Sequence, residues 1–283
     1  MPRAGWDNQG GTAVITGGAN GIGRAAAKRL VERGMNVLLA DRDEEMLTQT
    51  LAELRAMAGS GVRVEAQQCD VSSMADIEGL RDRAMGTFGG VNCLMNNAGT
   101  GFPTGNPWEQ LDDWKRLLDI NMWGVIQGCQ AFIPTMLEAG APAIVVNTGS
   151  KQGITKPPGN YAYNLSKTGV VAYTESVAHA LRQIDDCTVS AHLLVPGFTY
   201  SGMIARHVPE KPPAAWTCQQ TVDFMFESLA RDDFYILCPD NDVTREMDQK
   251  RIQWNADDLI KNRPALSRWH PDFEAAFAAY MKD

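Results

Sequence analysis

The sequence predicts an α/β fold, a doubly wound parallel sheet of about seven strands between two layers of helices, three layers in all. Three observations predict it. Seven short apolar runs alternate with stretches of helical periodicity. The runs are apolar throughout rather than at every second residue, as strands covered on both faces are. The first run also enters a glycine-rich turn that opens directly into a helix.

Taken in order, TAVIT (12–16) is followed by a helix over about 21–33. NVLLA (36–40) precedes a charged helix ending near 58, and VRVEAQQ (62–68) one ending near 88. VNCLMN (91–96) precedes a loop and a long helix over about 110–138. AIVVNT (143–148) precedes a loop and a helix over about 161–183. TVSAHLLV (188–195) leads into an irregular segment and a helix over about 217–230, and FYILC (234–238) is the last strand. The proline-bearing stretch 207–215 reads as a surface loop. Residues 1–238 form the predicted catalytic domain. Residues 239–283 are a charged extension with Trp254, Trp269, Phe273, Phe277 and Tyr280. The spacing of Phe273, Phe277 and Tyr280 or Met281 is helical. It suits core packing on the same domain, capping of the site, or contact with a partner subunit.

Composition narrows the function. The chain has 283 residues with 26 Lys and Arg against 34 Asp and Glu, a net charge of −8. Phosphate recognition on nucleic acids needs the opposite surplus, and so does polybasic binding to a membrane surface. No run of 18 apolar residues marks a membrane span. The opening MPRAGWDNQGG lacks a signal-peptide pattern, which suggests a cytoplasmic protein. The cysteines at 69, 93, 129, 187, 218 and 238 form no CxxC, and Cys69 and Cys93 read as reduced thiols packed as small hydrophobes. The four histidines, His179, His192, His207 and His270, have no zinc-like spacing, so no metal is expected.

In a parallel sheet, ligands bind beyond the carboxyl ends of the strands. Thr16-Gly-Gly-Ala-Asn-Gly-Ile-Gly23 follows the first strand. Glycines there let backbone approach a pyrophosphate, and the helix N-terminus supplies N–H donors. A tight structural turn uses glycine as well. Asp41 ends the second strand, where an acid holds a ribose hydroxyl pair; Arg42, next to it, suits a 2′-phosphate instead. Asp70, after the third strand, suits an adenine amino group or a plain loop cap. The fourth strand ends in Asn96-Asn97-Ala98-Gly99, the fifth in Asn147-Thr148-Gly149-Ser150, and the sixth in Pro196-Gly197.

Tyr163 and Lys167 lie four apart on a predicted helix and so share a face. A neighbouring ammonium favours the phenolate and lets Tyr163 exchange a proton as general acid or base. Tyr161, with Leu165 four residues on, lacks that ammonium. Ser150 stands ready to hold the same substrate oxygen. A Tyr-x-x-x-Lys pair on a surface helix does none of this.

These motifs together resemble the short-chain dehydrogenase/reductase family, single-domain type. The resemblance rests on Thr16, Gly17, Gly21 and Gly23, on residues 96–99, on Ser150, Tyr163 and Lys167, and on Pro196 and Gly197; it spans about 10–238. It implies a Rossmann-like fold binding NAD(H) or NADP(H). It implies that Asn20 belongs to the cofactor turn, with Gly17, Gly21 and Ile22 along the pyrophosphate and Asp41 and Arg42 at the adenosine ribose. Asp70 and Val71 then meet the adenine, Asn97 and Gly99 line the cleft, and Lys167 holds the nicotinamide ribose. Backbone near Val195 to Thr199 receives the carboxamide. Asn121 becomes a fourth catalytic residue, anchoring a proton-relay water. A homodimer or homotetramer is implied as well.

The chain departs from the family at three places. Ser201 stands where a threonine is usual, with Thr199 nearer. The close after the last strand is Cys-Pro-Asp-Asn (238–241), followed by the long extension. The 197–216 segment carries Phe198, Tyr200, Met203, Ile204 and Trp216, a substrate lid or simply packing for the next helix. The lid and tail resemble members acting on bulky aryl carbinols and ketones. The expected substrate is therefore a small-molecule bulky secondary alcohol or its ketone. A steroid or sugar alcohol is the alternative with the same chemistry, and a non-catalytic dinucleotide-binding regulator the alternative without it. An acyl-carrier substrate suits the acidic surface poorly. Asp41 and Arg42 together imply use of both cofactors.

Overall fold

The computed structural model describes residues 5–206 and 208–282. Seven parallel strands form its central sheet: β1 (Thr12–Thr16), β2 (Asn36–Asp41), β3 (Val64–Gln68), β4 (Cys93–Asn96), β5 (Ala143–Thr148), β6 (Val189–Val195) and β9 (Tyr235–Leu237). Their order is β3-β2-β1-β4-β5-β6-β9, so the winding reverses between β1 and β4. The predicted sheet is present, with strand ends within a few residues of those read from the sequence. The small strands β7 (Thr199–Tyr200) and β8 (Trp216–Thr217) pair in parallel beside it.

Alternation along each strand divides the core. Ala13 and Ile15 of β1, with Val37 and Leu39 of β2, face one layer, together with Leu30 and Phe226. Val14 and Leu38 face the other, together with Leu80, Leu94 and Phe132. All of these side chains are buried, which explains why the strands read as continuous apolar runs.

Helices α1 (Gly21–Glu32) and α2 (Glu44–Met57) flank one face with α9 (Cys218–Ala230). On the other lie α3 (Met74–Phe88), α5 (Gly124–Ala139) and α7 (Tyr161–Arg182). The starts of α1, α2, α3 and α9 are set by short polar side chains: Asp43 accepts from the Met46 N–H, for example, and Thr217 and Gln220 form a capping box.

The helix expected over 110–138 is three pieces. These are α4 (Leu111–Leu118), a π-helical turn (Asp119–Trp123) and α5. The chain also makes two short helices, α6 (Gln152–Thr155) and α8 (Gly202–Ala205), inside segments read as irregular.

After β9 come α10 (Arg245–Ile260), two 3₁₀ turns and α11 (Glu274–Lys282). Trp254 is the centre of this region. Its ring meets Phe277 and Tyr280, the Arg263 guanidinium lies 4.1 Å over it, and its indole N–H donates to Ser267 Oγ at 2.9 Å. No helix among the described residues is long and apolar enough to cross a membrane.

Candidate active site

The carboxyl ends of β1, β2, β4, β5 and β6 open into one cleft of about 520 Å³. That size accommodates a small organic ligand. Gly17, Asn20, Gly21, Ile22, Asp41 and Arg42 line one end, and Ser150, Tyr163, Pro196, Gly197 and Phe198 the other. Asp70, Val71, Asn97, Gly99, Lys167 and Thr199 complete the predicted set on its wall.

The first turn is shaped by close approach. A Cβ on Gly17, at φ +62°, would stand 2.8 Å from Ala98 Cα. One on Gly23 would stand 2.2 Å from Gly17 O. Asn97 ties the turn to β4 by donating to Thr16 O at 3.2 Å and Gly17 O at 3.1 Å. Asn20 caps α1, accepting from the Gly21 N–H at 2.6 Å, and the first turn of α1 carries no acidic residue. The positive end of a helix dipole therefore faces the cleft unneutralised.

At the end of β2, both Asp41 oxygens accept backbone N–H groups, from Ala19 and Asp43, each at 3.1 Å. The carboxylate is thereby held beside the turn, while Arg42 is exposed. Asp70 accepts from the Ser72 hydroxyl and N–H, bonds that hold its carboxyl below the usual range. Cys69 also lines the cleft, and burial, reinforced by Asp76, Asp70 and Asp41, pushes its thiol up to about 12. A thiol so shifted is unreactive near neutral pH.

Helix α7 carries Tyr163 and Lys167 on the face toward β5. The sheet holds that helix through a buried chain of amides: Asn96 Nδ2 donates to Asn147 Oδ1 at 2.8 Å, and Asn147 Nδ2 to Thr174 Oγ1 at 3.1 Å. Lys167 is buried and donates from Nζ to Thr148 O at 2.8 Å. Its Nζ lies 5.8 Å from the centre of the Tyr163 ring. Burial lowers the Lys167 pKa to about 8 and raises that of Tyr163, which a hydrogen bond to the Ser150 side chain partly offsets.

Asn121 does not line the cleft. It sits fully buried in the π-helical turn, behind Gly99. Its Oδ1 accepts from the Thr100 N–H at 2.8 Å, and its Nδ2 donates to Thr100 O at 2.9 Å and Ser166 Oγ at 3.3 Å. A π turn widens one helical loop and recurs at functional sites.

The lid residues divide. Phe198, Met203 and Ile204 line the cleft. Tyr200 and Trp216 lie off its wall. The Tyr200 hydroxyl donates to Val208 O and Pro209 O, and Trp216 stands edge-on to Phe224 within the β7–β8 pairing. Thr199 Oγ1 is paired with Thr221 Oγ1 at 2.9 Å, whereas Ser201 lines the cleft beside Gly21.

The sequence reading did not single out Lys151, Gln152, Thr100, Met46 or Arg206, which also line the cleft. Nor did it single out Asp240 and Asp248, which ion-pair with Lys151. Position just after Ser150 was the one available signal for Lys151. Nothing in the sequence around Asp240 or Asp248 indicates a partner so far back in the chain.

The donor set fits a dinucleotide. A helix N-terminus free of acidic residues and its glycines suit a diphosphate, the fixed Asp41 carboxylate a ribose diol, and the Lys167 ammonium a second ribose.

Comparison with known proteins agrees with this geometry. A family model described as short chain dehydrogenase matches residues 11–212. The chain is 36% identical over 196 residues to 3beta-hydroxysteroid dehydrogenase 2 of Eggerthella lenta, covering 69% of this chain and 73% of that protein. It is 31% identical over 249 residues to 1-deoxy-11-beta-hydroxypentalenate dehydrogenase of Streptomyces avermitilis, covering 86% and 90%. A short-chain dehydrogenase/reductase from Burkholderia phymatum, solved in complex with NAD, superposes with a TM-score of 0.80 at 32% identity, covering 91% of this chain and 96% of that one. A sheet wound in this order, a cleft built for a dinucleotide and a match over most of the chain have one reading: this protein belongs to the short-chain dehydrogenase family of NAD(P)(H)-dependent alcohol dehydrogenases and ketone reductases.

Proposed function

We propose that this chain interconverts a bulky, apolar secondary alcohol and its ketone, with Tyr163 as general acid and base. The observation that carries the proposal is that Ser150, Tyr163 and the buried Lys167 ammonium meet on the cleft wall at the carboxyl end of β5, with Lys167 Nζ 5.8 Å from the centre of the Tyr163 ring. Bound nicotinamide supplies or accepts the hydride. The Ser150 and Tyr163 hydroxyls hold the substrate oxygen, and Tyr163 gives it a proton in reduction or takes one in oxidation. Lys167 is fixed by Thr148 O, and its charge favours the phenolate that burial opposes. Thr100 and Ser166 take both side-chain N–H groups of Asn121 and Thr100 also holds its Oδ1, so we place its part in proton transfer at its backbone rather than its side chain.

Phe198, Met203 and Ile204 support an apolar substrate, since all three line the cleft, Met203 beside Gly101. The relatives named for a hydroxysteroid and a hydroxypentalenate favour a bulky alicyclic alcohol over the aryl one that the lid and tail suggested. For the cofactor, we propose NAD(H) ahead of NADP(H). The Asp41 carboxylate is held in place by two N–H groups and would repel a 2′-phosphate, while Arg42 is exposed.

Loss of reduced-nicotinamide absorbance with a ketosteroid and with an aryl ketone tests the reading, NADH and NADPH in parallel. Tyr163→Phe is expected to cut kcat/KM by about 10³-fold, within the span of general acid–base catalysis. Nucleotide binding, followed by NADH fluorescence, is expected to survive. A Tyr163→Phe protein that turns over ketone as the unaltered one does would refute the assignment.

A further inference from the structure

We infer that Asp248, with Asp240 beside it, is a positioning residue: it holds Lys151, and through Lys151 the Ser150 loop and the lid backbone at Phe198. The inference rests on the reading of Ser150 as the group that holds the substrate oxygen.

Lys151 directly follows Ser150 and lines the cleft. Its Nζ lies 2.7 Å from Asp248 Oδ2 and 3.4 Å from Asp240 Oδ2. The same Asp240 oxygen accepts the Phe198 N–H at 3.1 Å, so one carboxylate joins the catalytic loop to the first lid residue. The Lys151 N–H in turn donates to Pro196 O at 3.4 Å. A Cβ on Gly197 would stand 2.9 Å from Asp240 Oδ2, so glycine is what lets the carboxylate come this near.

Helix α10 holds the loop at a second point, where Asn255 Nδ2 donates to Ile154 O at 3.3 Å. Between these points, the Gln152 N–H donates to Ser150 Oγ at 3.2 Å, and Gly153 packs on the Lys167 backbone. The extension after β9 thus holds the segment between Ser150 and the Tyr163 helix from behind.

Burial shows why the arrangement is more than a stabilising pair. Asp248 and Asp240 are 4% and 6% exposed at the side chain, and Lys151 16%. Arg251 lies 3.9 Å from Asp248, and half-buried Arg268 also feels its charge. Taking such charges out of water costs about as much as their attraction returns, and an apolar pair would stabilise equally well. What the ions add is direction. A lysine caught between two carboxylates, with its own N–H on Pro196 O, narrows the backbone positions open to the residue before it, and this is the residue that must meet the substrate oxygen. The charge of Lys151 is spent on these partners, so it is not an anchor for an anionic substrate.

The test uses the full chain with Asp248→Asn, close to isosteric, and Asp240→Asn as a second variant. Amide hydrogen exchange is read in peptides covering 149–155 and 196–200, and kcat and KM are measured with NADH and a turned-over ketone. Both peptides are expected to exchange faster in either variant while those of β1 and α1 do not change. Loss of alignment at reacting atoms is expected to lower kcat about tenfold or more, with the NADH KM within about twofold. Unchanged exchange in both peptides overturns the inference. A uniform rise across the chain, with kcat per folded enzyme intact, overturns it too, because that is stability alone. If neither the unaltered chain nor Tyr163→Phe reduces any ketone, the reading of Ser150 fails separately, and the exchange arm still decides whether Asp248 holds the loop.

Discussion

Burial removes the Lys167 ammonium from water and lowers its pKa to about 8, below the ordinary lysine value. Between those two values the folded chain binds fewer protons than the unfolded one, so stability rises with pH across that window. The burial cost is present in full below about pH 8 and fades above it. Lys167→Met is therefore expected to raise the melting temperature at pH 7, with the gain shrinking steadily toward pH 10; a gain independent of pH contradicts the account. At the other end of the cleft, Asp41→Ala is expected to raise the KM for NADH, and Arg42→Ala that for NADPH. Steady-state kinetics with both cofactors decide it, and identical values for all three proteins contradict it. At this scale the sequence was most legible. Gly17, Asp41, Ser150, Tyr163 and Lys167 announce themselves by residue type just after a strand or on one helix face. Asn121 carried no such mark, because its neighbours Thr100 and Ser166 are chosen by a π turn that no short spacing encodes. Tyr200 and Trp216 misled for the opposite reason: bulk alone does not say which way a loop residue faces.

Among elements, strands covered on both faces and long helices with a clear apolar face were plain in the sequence, and the shortest ones were not. A two-residue ladder such as β7–β8 is too short to show a period. The π turn is concealed inside an unbroken helical pattern, and α6 has only four residues. Yet α6 governs how the Ser150 loop meets α7. A Cβ on Gly153 would stand 2.6 Å from both the carbonyl carbon and the oxygen of Lys167, which are backbone atoms and cannot turn aside. Gly153→Ala is therefore expected to destabilise the protein by about 1–3 kcal/mol, the usual cost of overpacking. It should also depress activity beyond the loss of folded protein. Urea unfolding and kcat measured on one preparation test this, and a midpoint and kcat both equal to the unaltered chain would sink it.

For the whole molecule, the family resemblance implied association of two or more copies. Trp108 and Leu111 are exposed at the start of α4, Trp123 at the π turn and Leu165 on α7. We propose that copies meet over these side chains. Light scattering is expected to give a multiple of the 31.0 kDa chain mass, and Trp123→Glu to reduce it. A mass of one chain for the unaltered protein would refute this. The extension was legible as charged and aromatic, and as helical only near its end, where Phe273, Phe277 and Tyr280 recur; α10 left no such signal. The extension's ion pairs with Lys151 were not legible, since long-range pairing of charges leaves no local pattern.

The ion pair between Lys151 and Asp248 spans 248 − 151 = 97 residues of chain. During synthesis at about 5–20 residues per second, roughly 5–20 s pass between the appearance of the two partners. In that interval β1 to β5 are already made and can pair. The loop that follows β5 waits for a carboxylate not yet polymerised. The β3-to-β5 part of the sheet is thus an early assembly and the site a late one, completed by the last fifth of the chain. Pulse labelling of amides in ribosome-bound chains stalled before Asp248 should show β1 and β4 protected and residues 149–155 not, and equal protection of 149–155 would contradict the sequence of events. A nascent chain stalled short of Asp248 would then own a binding cleft without a settled catalytic loop, and occupancy by nucleotide would precede competence to turn over.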